Sequence, residues 1–312
     1  RMANSKNAKL ILEDGSTFEG HSFGFEESTS GEVVFNTGMV GYYESLTDPS
    51  YTGQVLSLTY PLIGNYGIPE PLRELATRAL SAARNQGKLK EKNSQMHSFF
   101  ESHKIHARAL IVNTYSDNFS HFEAKKSLSE WLKEQKIPAI TGIDTRALTK
   151  KLREKGVMLG KIIIDEKEVE FFDPNKINIV EEVSCKEPLT YQTTKKPEKK
   201  VVLIDCGVKN NIIRSLLSRN VEVTRVPFDY NFFDKKIDFD AIVLSNGPGD
   251  PKMCKETILI IKTAMQKEIP TFGICLGNQL LALAAGGDTY KLKYGNRGQN
   301  QQCILEDTKK CF

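Results

Sequence analysis

Beyond Lys200 strand candidates alternate with stretches of helical periodicity. They are Val201–Ile204, a four-residue apolar run, Val221–Val226, Ala241–Leu244 and Thr271–Ile274. A helical pattern follows the first through Arg219, and another covers Glu256–Gln266 between the last two. Strands alternating with helices imply a parallel sheet covered on both faces. The pattern predicts an open, mostly parallel α/β sheet. Sites in such sheets lie beyond the carboxyl ends of the strands, which directs attention to the residues after Leu244 and Ile274.

Both strand ends are distinctive. Gly273-Ile274-Cys275-Leu276-Gly277 has the G-x-C-x-G form, the thiol version of the strand-to-helix elbow that presents a nucleophile. Its glycines would relieve crowding around a residue in a strained conformation. A helix predicted over roughly Gln279–Ala285 would aim its positive end at the sulfur, favouring thiolate, and the Leu276 amide could face an oxyanion. After Leu244, Asn246-Gly247-Pro248-Gly249-Asp250-Pro251 offers backbone donors with little side-chain bulk. A packing cysteine near glycines and an ordinary Gly-Pro turn would account for either segment alone; their place on one sheet edge favours chemistry.

The first half has a different texture. Strands are predicted at Lys9–Glu13, Thr17–Gly20, Glu32–Asn36, Gln54–Thr59, Ala109–Asn113 and Lys161–Ile164, with Asp14-Gly15 as a turn. Helices are predicted at Ala124–Gln135 and at Thr145–Glu154, the latter capped by Asp144 and ended by Gly156. This gives a mixed α/β domain over residues 8–165, a charged linker over 166–200, and the parallel α/β domain over 201–312, C-terminally incomplete. A basic insertion at about 72–93 interrupts the first domain and begins as an amphipathic helix. Between Arg73 and Lys92 there are six basic and two acidic residues, which accounts for the whole net charge of +4. One short run is a solvated face rather than a nucleic-acid groove.

The six cysteines lack C-x-x-C spacing, and no apolar run reaches the ~20 residues of a membrane span. The opening residues contain no apolar signal core, so a cytoplasmic location is expected. His103 and His106, with His97 nearby, lack a matching acidic or cysteine ligand, so no metal is assigned. Cys206, without a following elbow, is expected to pack.

Asn246–Pro251 together with Phe272–Gln279 resembles the triad-type class I glutamine amidotransferases, which release ammonia through a cysteine thioester. The segments Gly31–Gly38, Leu46–Tyr51, Thr59–Asn65, Gly142–Thr149 and Asp205–Ile212 look like those of the carbamoyl-phosphate synthetase small subunit. By that resemblance Cys275 is the nucleophile, and Leu276, Gln279, Gly247, Gly249 and Ser50 contact glutamine, Ser50 reaching across from the first domain. The resemblance implies a synthetase partner, separate or fused, that makes carbamoyl phosphate from bicarbonate and ATP for pyrimidine or arginine synthesis. ATP and a divalent metal belong to that partner. This chain has no Gly-rich P-loop, so no cofactor is expected on it.

Three departures qualify the resemblance. Asn278 and Gln299 stand where histidine is frequent in the family. The family's proton-transferring histidine lies in a His-x-Glu segment, whereas His121 is the last histidine before Phe312, so the chain as given is expected to be inactive. A non-catalytic partner that stabilises or regulates an ammonia-using synthetase is the other reading of the same residues.

Overall fold

The computed structural model describes residues 5–69, 99–193, 196–295 and 304–311. The predicted helix and basic insertion at 72–93, along with His97, Gln299 and Cys303, lie outside the described residues. The fold is mixed α/β, with an N-terminal half followed by an open, mostly parallel sheet.

The first half is a closed barrel of seven strands. They are β1 (Asn7–Leu12), β2 (Thr17–Ser22), β3 (Thr29–Asn36), β4 (Gln54–Leu58), β6 (Ala109–Val112), β8 (Ala139–Thr141) and β9 (Met158–Ile164), in the order β1-β2-β8-β6-β4-β3-β9. Antiparallel pairing of β1 with β9 closes it, Leu10 opposite Ile162. Successive side chains along the wall point to opposite faces, and both faces are covered. Val33, Val55, Ala109 and Ile111 join one apolar cluster, while Val34, Leu56, Leu110 and Val112 join another. Two helices cover these clusters: α2 (Leu128–Glu134) with Leu128, Trp131 and Leu132, and α3 (Thr145–Lys155) with Leu148 and Leu152. Each such burial contributes roughly 1.5–3 kcal/mol, against a few tenths for helix propensity, so packing decides where these helices lie. A short helix, α1 (Tyr42–Thr47), follows β3.

The start of α2 corrects the sequence reading. Ala124–Lys126 forms β7, paired antiparallel with β5 (Ile68–Pro69), and the helix begins only at Leu128. A capping box sets that boundary: Ser127 Oγ accepts from the Glu130 amide at 3.1 Å, and the Ser127 amide donates to Glu130 Oε2 at 2.8 Å. Helix α3 has the expected ends, with Asp144 Oδ1 accepting from the Ala147 amide at 2.9 Å and Gly156 at φ 109°.

The second sheet has the order β10-β12-β11-β13-β14. Strands β11 (Lys199–Asp205), β12 (Val221–Pro227), β13 (Ala241–Leu244) and β14 (Thr271–Gly273) are parallel. The antiparallel edge strand β10 (Leu189–Tyr191) comes from the stretch expected as a linker. That stretch also contains α4 (Val180–Val183) and holds to both halves: Ser30 Oγ donates to Glu170 O at 2.7 Å, and Ser184 Oγ accepts from the Phe228 amide at 3.0 Å. Helix α5 (Asn210–Leu217) covers one face of the sheet through Ile213. Helices α6 (Lys255–Gln266) and α7 (Leu276–Ala284) cover the other through Ile260, Ile261 and Leu280.

Candidate active site

The backbone at Cys275 is the most constrained in the second half. Strand pairing continues to Ile274, whose amide donates to Leu244 O at 3.0 Å, and α7 begins at Leu276, earlier than the predicted Gln279. The whole reversal falls on Cys275, at φ 53° and ψ −111°, a conformation that costs an L-residue about 1–3 kcal/mol. The flanking glycines allow it. A Cβ on Gly277 would stand 2.5 Å from Leu244 O, and one on Gly273 would stand 2.6 Å from the Asn278 amide nitrogen.

The reversal leaves Cys275 exposed at the N-terminus of α7. The amide of Gly277 donates to Ser245 O at 3.0 Å, and those of Asn278 and Gln279 donate to Cys275 O at 3.0 and 3.2 Å. The Leu276 amide opens the helix, where no intrahelical carbonyl can reach it. No backbone carbonyl among the described residues accepts from it outside the helix, so it is the first-turn donor available to an anion beside the sulfur.

The loop after β13 lies against this turn. A Cβ on Gly247 would stand 2.0 Å from Cys206 O and 2.9 Å from Leu276 Cδ2, so only hydrogen fits between the two backbones and the nucleophile's helix. Asn246, 3% exposed, fixes the loop to both halves. Its Oδ1 accepts from the Lys209 amide at 3.1 Å, and its Nδ2 donates to Ser50 Oγ at 3.0 Å and to Asp48 Oδ1 at 3.5 Å. Asp48 in turn caps the 3-10 turn Pro49–Tyr51 that carries Ser50, and its Oδ2 lies 3.6 Å from Lys209 Nζ. Among the sequence-selected residues, Cys275, Leu276, Gly247 and Ser50 are thus joined through direct contacts and Asn246. Gln279 is exposed one turn along α7, and Gly249 stands at the outer end of the loop.

Beneath the site, Asp205 is fully buried at the end of β11. Its Oδ1 accepts from the amides of Gly207 and Val208 at 2.9 and 2.8 Å, and its Oδ2 accepts from Arg225 Nη2 at 2.6 Å. Burial opposes the Arg225 charge, but the Asp205 carboxylate beside it prevails and holds the guanidinium pKa above the ordinary arginine value. Burial pushes Cys185 and Cys254 each up to about 12, and Cys206, wholly enclosed, well above the usual thiol value. Cys206 packs, as its sequence context predicts.

No histidine follows His121 in the sequence, so none stands in the second sheet. His106 lies in the barrel with Nδ1 3.1 Å from Thr52 Oγ1, its pKa pushed down to about 3 chiefly by burial. Among the described residues no three His, Cys, Asp or Glu side chains cluster as a metal site would require, and no helix is long and apolar enough to cross a membrane.

Comparison with known proteins bears on this arrangement. Residues 10–162 match the family described as "Carbamoyl-phosphate synthase small chain, CPSase domain", and residues 202–312 match "Glutamine amidotransferase class-I". The chain is 52% identical over 310 residues to the multifunctional protein CAD of Squalus acanthias, covering 98% of this chain and 13% of that protein. It is 44% identical to the arginine-specific small chain of carbamoyl phosphate synthase from Neosartorya fischeri, covering 98% of this chain and 65% of that one. It is also 46% identical to the mitochondrial carbamoyl-phosphate synthase [ammonia] of Aquarana catesbeiana, covering 96% of this chain and 19% of that protein. The chain spans less than two thirds of the length of each. Among solved structures, the aminopeptidase from Aneurinibacillus sp. strain AM-1 aligns with a TM-score of only 0.26 at 9% identity, over 91% of this chain and 72% of its own, which bears on neither fold nor function. The chain belongs to the family in which a carbamoyl-phosphate synthase small-chain domain precedes a class-I glutamine amidotransferase domain.

Proposed function

We propose that this chain hydrolyses glutamine at Cys275 and passes the ammonia to a synthetase region that makes carbamoyl phosphate from bicarbonate and ATP. The observation that carries the reading is the strained elbow: an exposed thiol at a helix N-terminus, with the Leu276 amide beside it and Gly247 packed on the same turn. In this reading the Cys275 thiolate attacks the side-chain carboxamide carbon of glutamine. The tetrahedral oxyanion is met by the Leu276 amide, with backbone of the Gly247–Gly249 loop beside the substrate. Ser50 and Gln279 contact the amino acid's other end, from the barrel and from α7. Collapse of the oxyanion breaks the C–N bond, ammonia leaves with a proton, and a thioester remains. Water then releases glutamate and returns the thiol.

The proton for the departing ammonia needs a donor near neutral pKa. Family resemblance assigns it to a histidine of a His-x-Glu segment, and residues 122–312 contain no histidine. Activity is therefore to be measured on a protein that carries these residues together with such a segment. ATP and a divalent metal ion act on the synthetase region, not on this chain.

Likeness to an ammonia-named synthase supports a second reading, in which this half only stabilises or regulates its partner. A glutamine-mimicking chloroketone separates the two. Under the glutaminase reading it alkylates Cys275 much faster than Cys311, also exposed, and glutamine protects. Equal rates at the two thiols, without protection, would favour the non-catalytic partner.

A further inference from the structure

Helix α5 has no cap of its own. Its N-cap residue, Lys209, offers no side-chain acceptor, so the amides of the first turn need partners from elsewhere. They find them on the other half of the molecule. The Asn210 amide donates to Glu101 O at 2.8 Å and the Asn211 amide to Glu101 Oε2 at 2.9 Å. Arg214, one turn along, donates to Phe100 O at 3.2 Å and places Nη2 3.6 Å from the same carboxylate oxygen.

Glu101 is held in turn by the barrel. Phe100 is buried in the barrel core beside Trp131, ring centroids 5.6 Å apart. The Glu101 amide donates to Thr47 Oγ1 at 3.0 Å, and Thr47 directly precedes Asp48, the cap of the turn that presents Ser50. One residue therefore grips the element carrying Ser50 with its backbone amide and the start of α5 with its backbone carbonyl and its carboxylate. The start of α5 matters because Lys209 bonds Asn246 through its amide and approaches Asp48 through its ammonium.

We infer that Glu101 is a positioning residue for the glutamine cleft: it caps α5 from the opposite half and so fixes the distance between Ser50 and the Asn246–Gly249 loop. It touches neither substrate nor thiol. The inference rests on the glutaminase reading above and assigns a task that reading does not contain.

The test uses a full-length synthetase carrying this chain, with Glu101→Ala and Glu101→Gln. Removing the carboxylate should loosen substrate positioning more than the chemistry at Cys275, and a misplacement of about 1 Å already carries large kinetic effects. Glu101→Ala is expected to raise the KM for glutamine about tenfold while kcat changes less than about threefold, with ammonia-dependent synthesis at parental level. Glu101→Gln keeps an acceptor for the Asn211 amide and should raise KM only about threefold. A merely structural role predicts instead parallel loss of glutamine- and ammonia-dependent rates with unchanged KM, which overturns the inference. If Glu101→Ala does not accumulate, Glu101→Gln decides alone, and an unchanged KM there is equally fatal. A parent protein that makes carbamoyl phosphate from ammonia but not from glutamine overturns the glutaminase reading and this inference together.

Discussion

The two halves solve the problem of sheet edges differently. The barrel pairs its first strand with its last and so has no open edge, and helices cover apolar clusters of its wall. The parallel sheet stays open. Its final strand, β14, leaves Phe272 65% exposed, and Leu259 on the neighbouring α6 is 63% exposed. Closure suits a body that presents loops at fixed positions, while an open sheet with all strand ends on one side suits a site built from those ends. Under the proposed function, chemistry falls to one half and placement to the other, with Ser50 as the first half's contribution to the cleft.

That division can be broken most sharply at the thiol. Cys275→Ser is expected to lower glutamine-dependent synthesis by about 10³-fold or more and to leave ammonia-dependent synthesis intact. Equal loss of both rates would mean that the open half is not simply the chemical one. Next in size is Asp205→Asn, which leaves the Arg225 guanidinium without its carboxylate and should cost about 3 kcal/mol. The single tryptophan, Trp131, sits in the barrel core, so its fluorescence reports that half. If the halves are separable, circular dichroism of the variant begins to fall at lower urea than Trp131 fluorescence changes. Coincident transitions would show that the clamps make them one cooperative unit.

A smaller effect separates the halves by pH. His106, pushed down to about 3, is neutral in the folded barrel while its unfolded counterpart takes up a proton below about 6.5. Its contribution is present above that value and is lost as pH falls. Glu44 has the opposite sign. Raised to about 7 by burial and then by Glu101, it stays protonated in the fold after the unfolded chain ionises, so stability is lost as pH rises through 7. Between about 4.5 and 6.5 the two oppose each other. In Glu44→Gln that opposition is gone, and between about pH 4.5 and 6.5 barrel stability measured by Trp131 fluorescence should fall on acidification, His106 contributing at most about 1.4 kcal/mol per pH unit. A flat profile would refute the neutral buried state of His106. Smallest is Ser127→Ala, which removes the α2 capping box and should cost about 1 kcal/mol in the barrel alone. Cys275 alkylation is the control and should be unchanged.

The halves also differ in how far the sequence disclosed them. Strands β11 and β13 are largely buried and stand out as apolar runs, and the elbow follows β14 at the sheet edge. Six of the seven barrel strands were visible singly, but β8 was not, and neither was their closure, because nothing local in Asn7–Leu12 announces a partner at Met158–Ile164. Ala124–Lys126 carries helix-compatible residues and became a strand only because Ile68–Pro69 lies beside it. Strand β10 escaped notice because Leu189-Thr190-Tyr191 gains its identity from pairing with β12. At the cleft, motif residues could be named in advance, whereas Glu101 could not: its partners Asn210, Asn211 and Arg214 are remote in sequence, and a surface glutamate looks the same in one dimension.

Closure of the barrel has a consequence for synthesis. Strand β1 can find its second neighbour only after β9 has left the ribosome, roughly 150 residues later, or on the order of 10 s at ordinary elongation rates. Until then β1 keeps a bare strand edge in an incomplete sheet. The parallel strands β11, β12 and β13, by contrast, emerge within a few dozen residues of one another. The barrel is thus sealed long after its first strand is made, and until Ile164 emerges β1 stays open to mispairing with neighbouring chains on the same message.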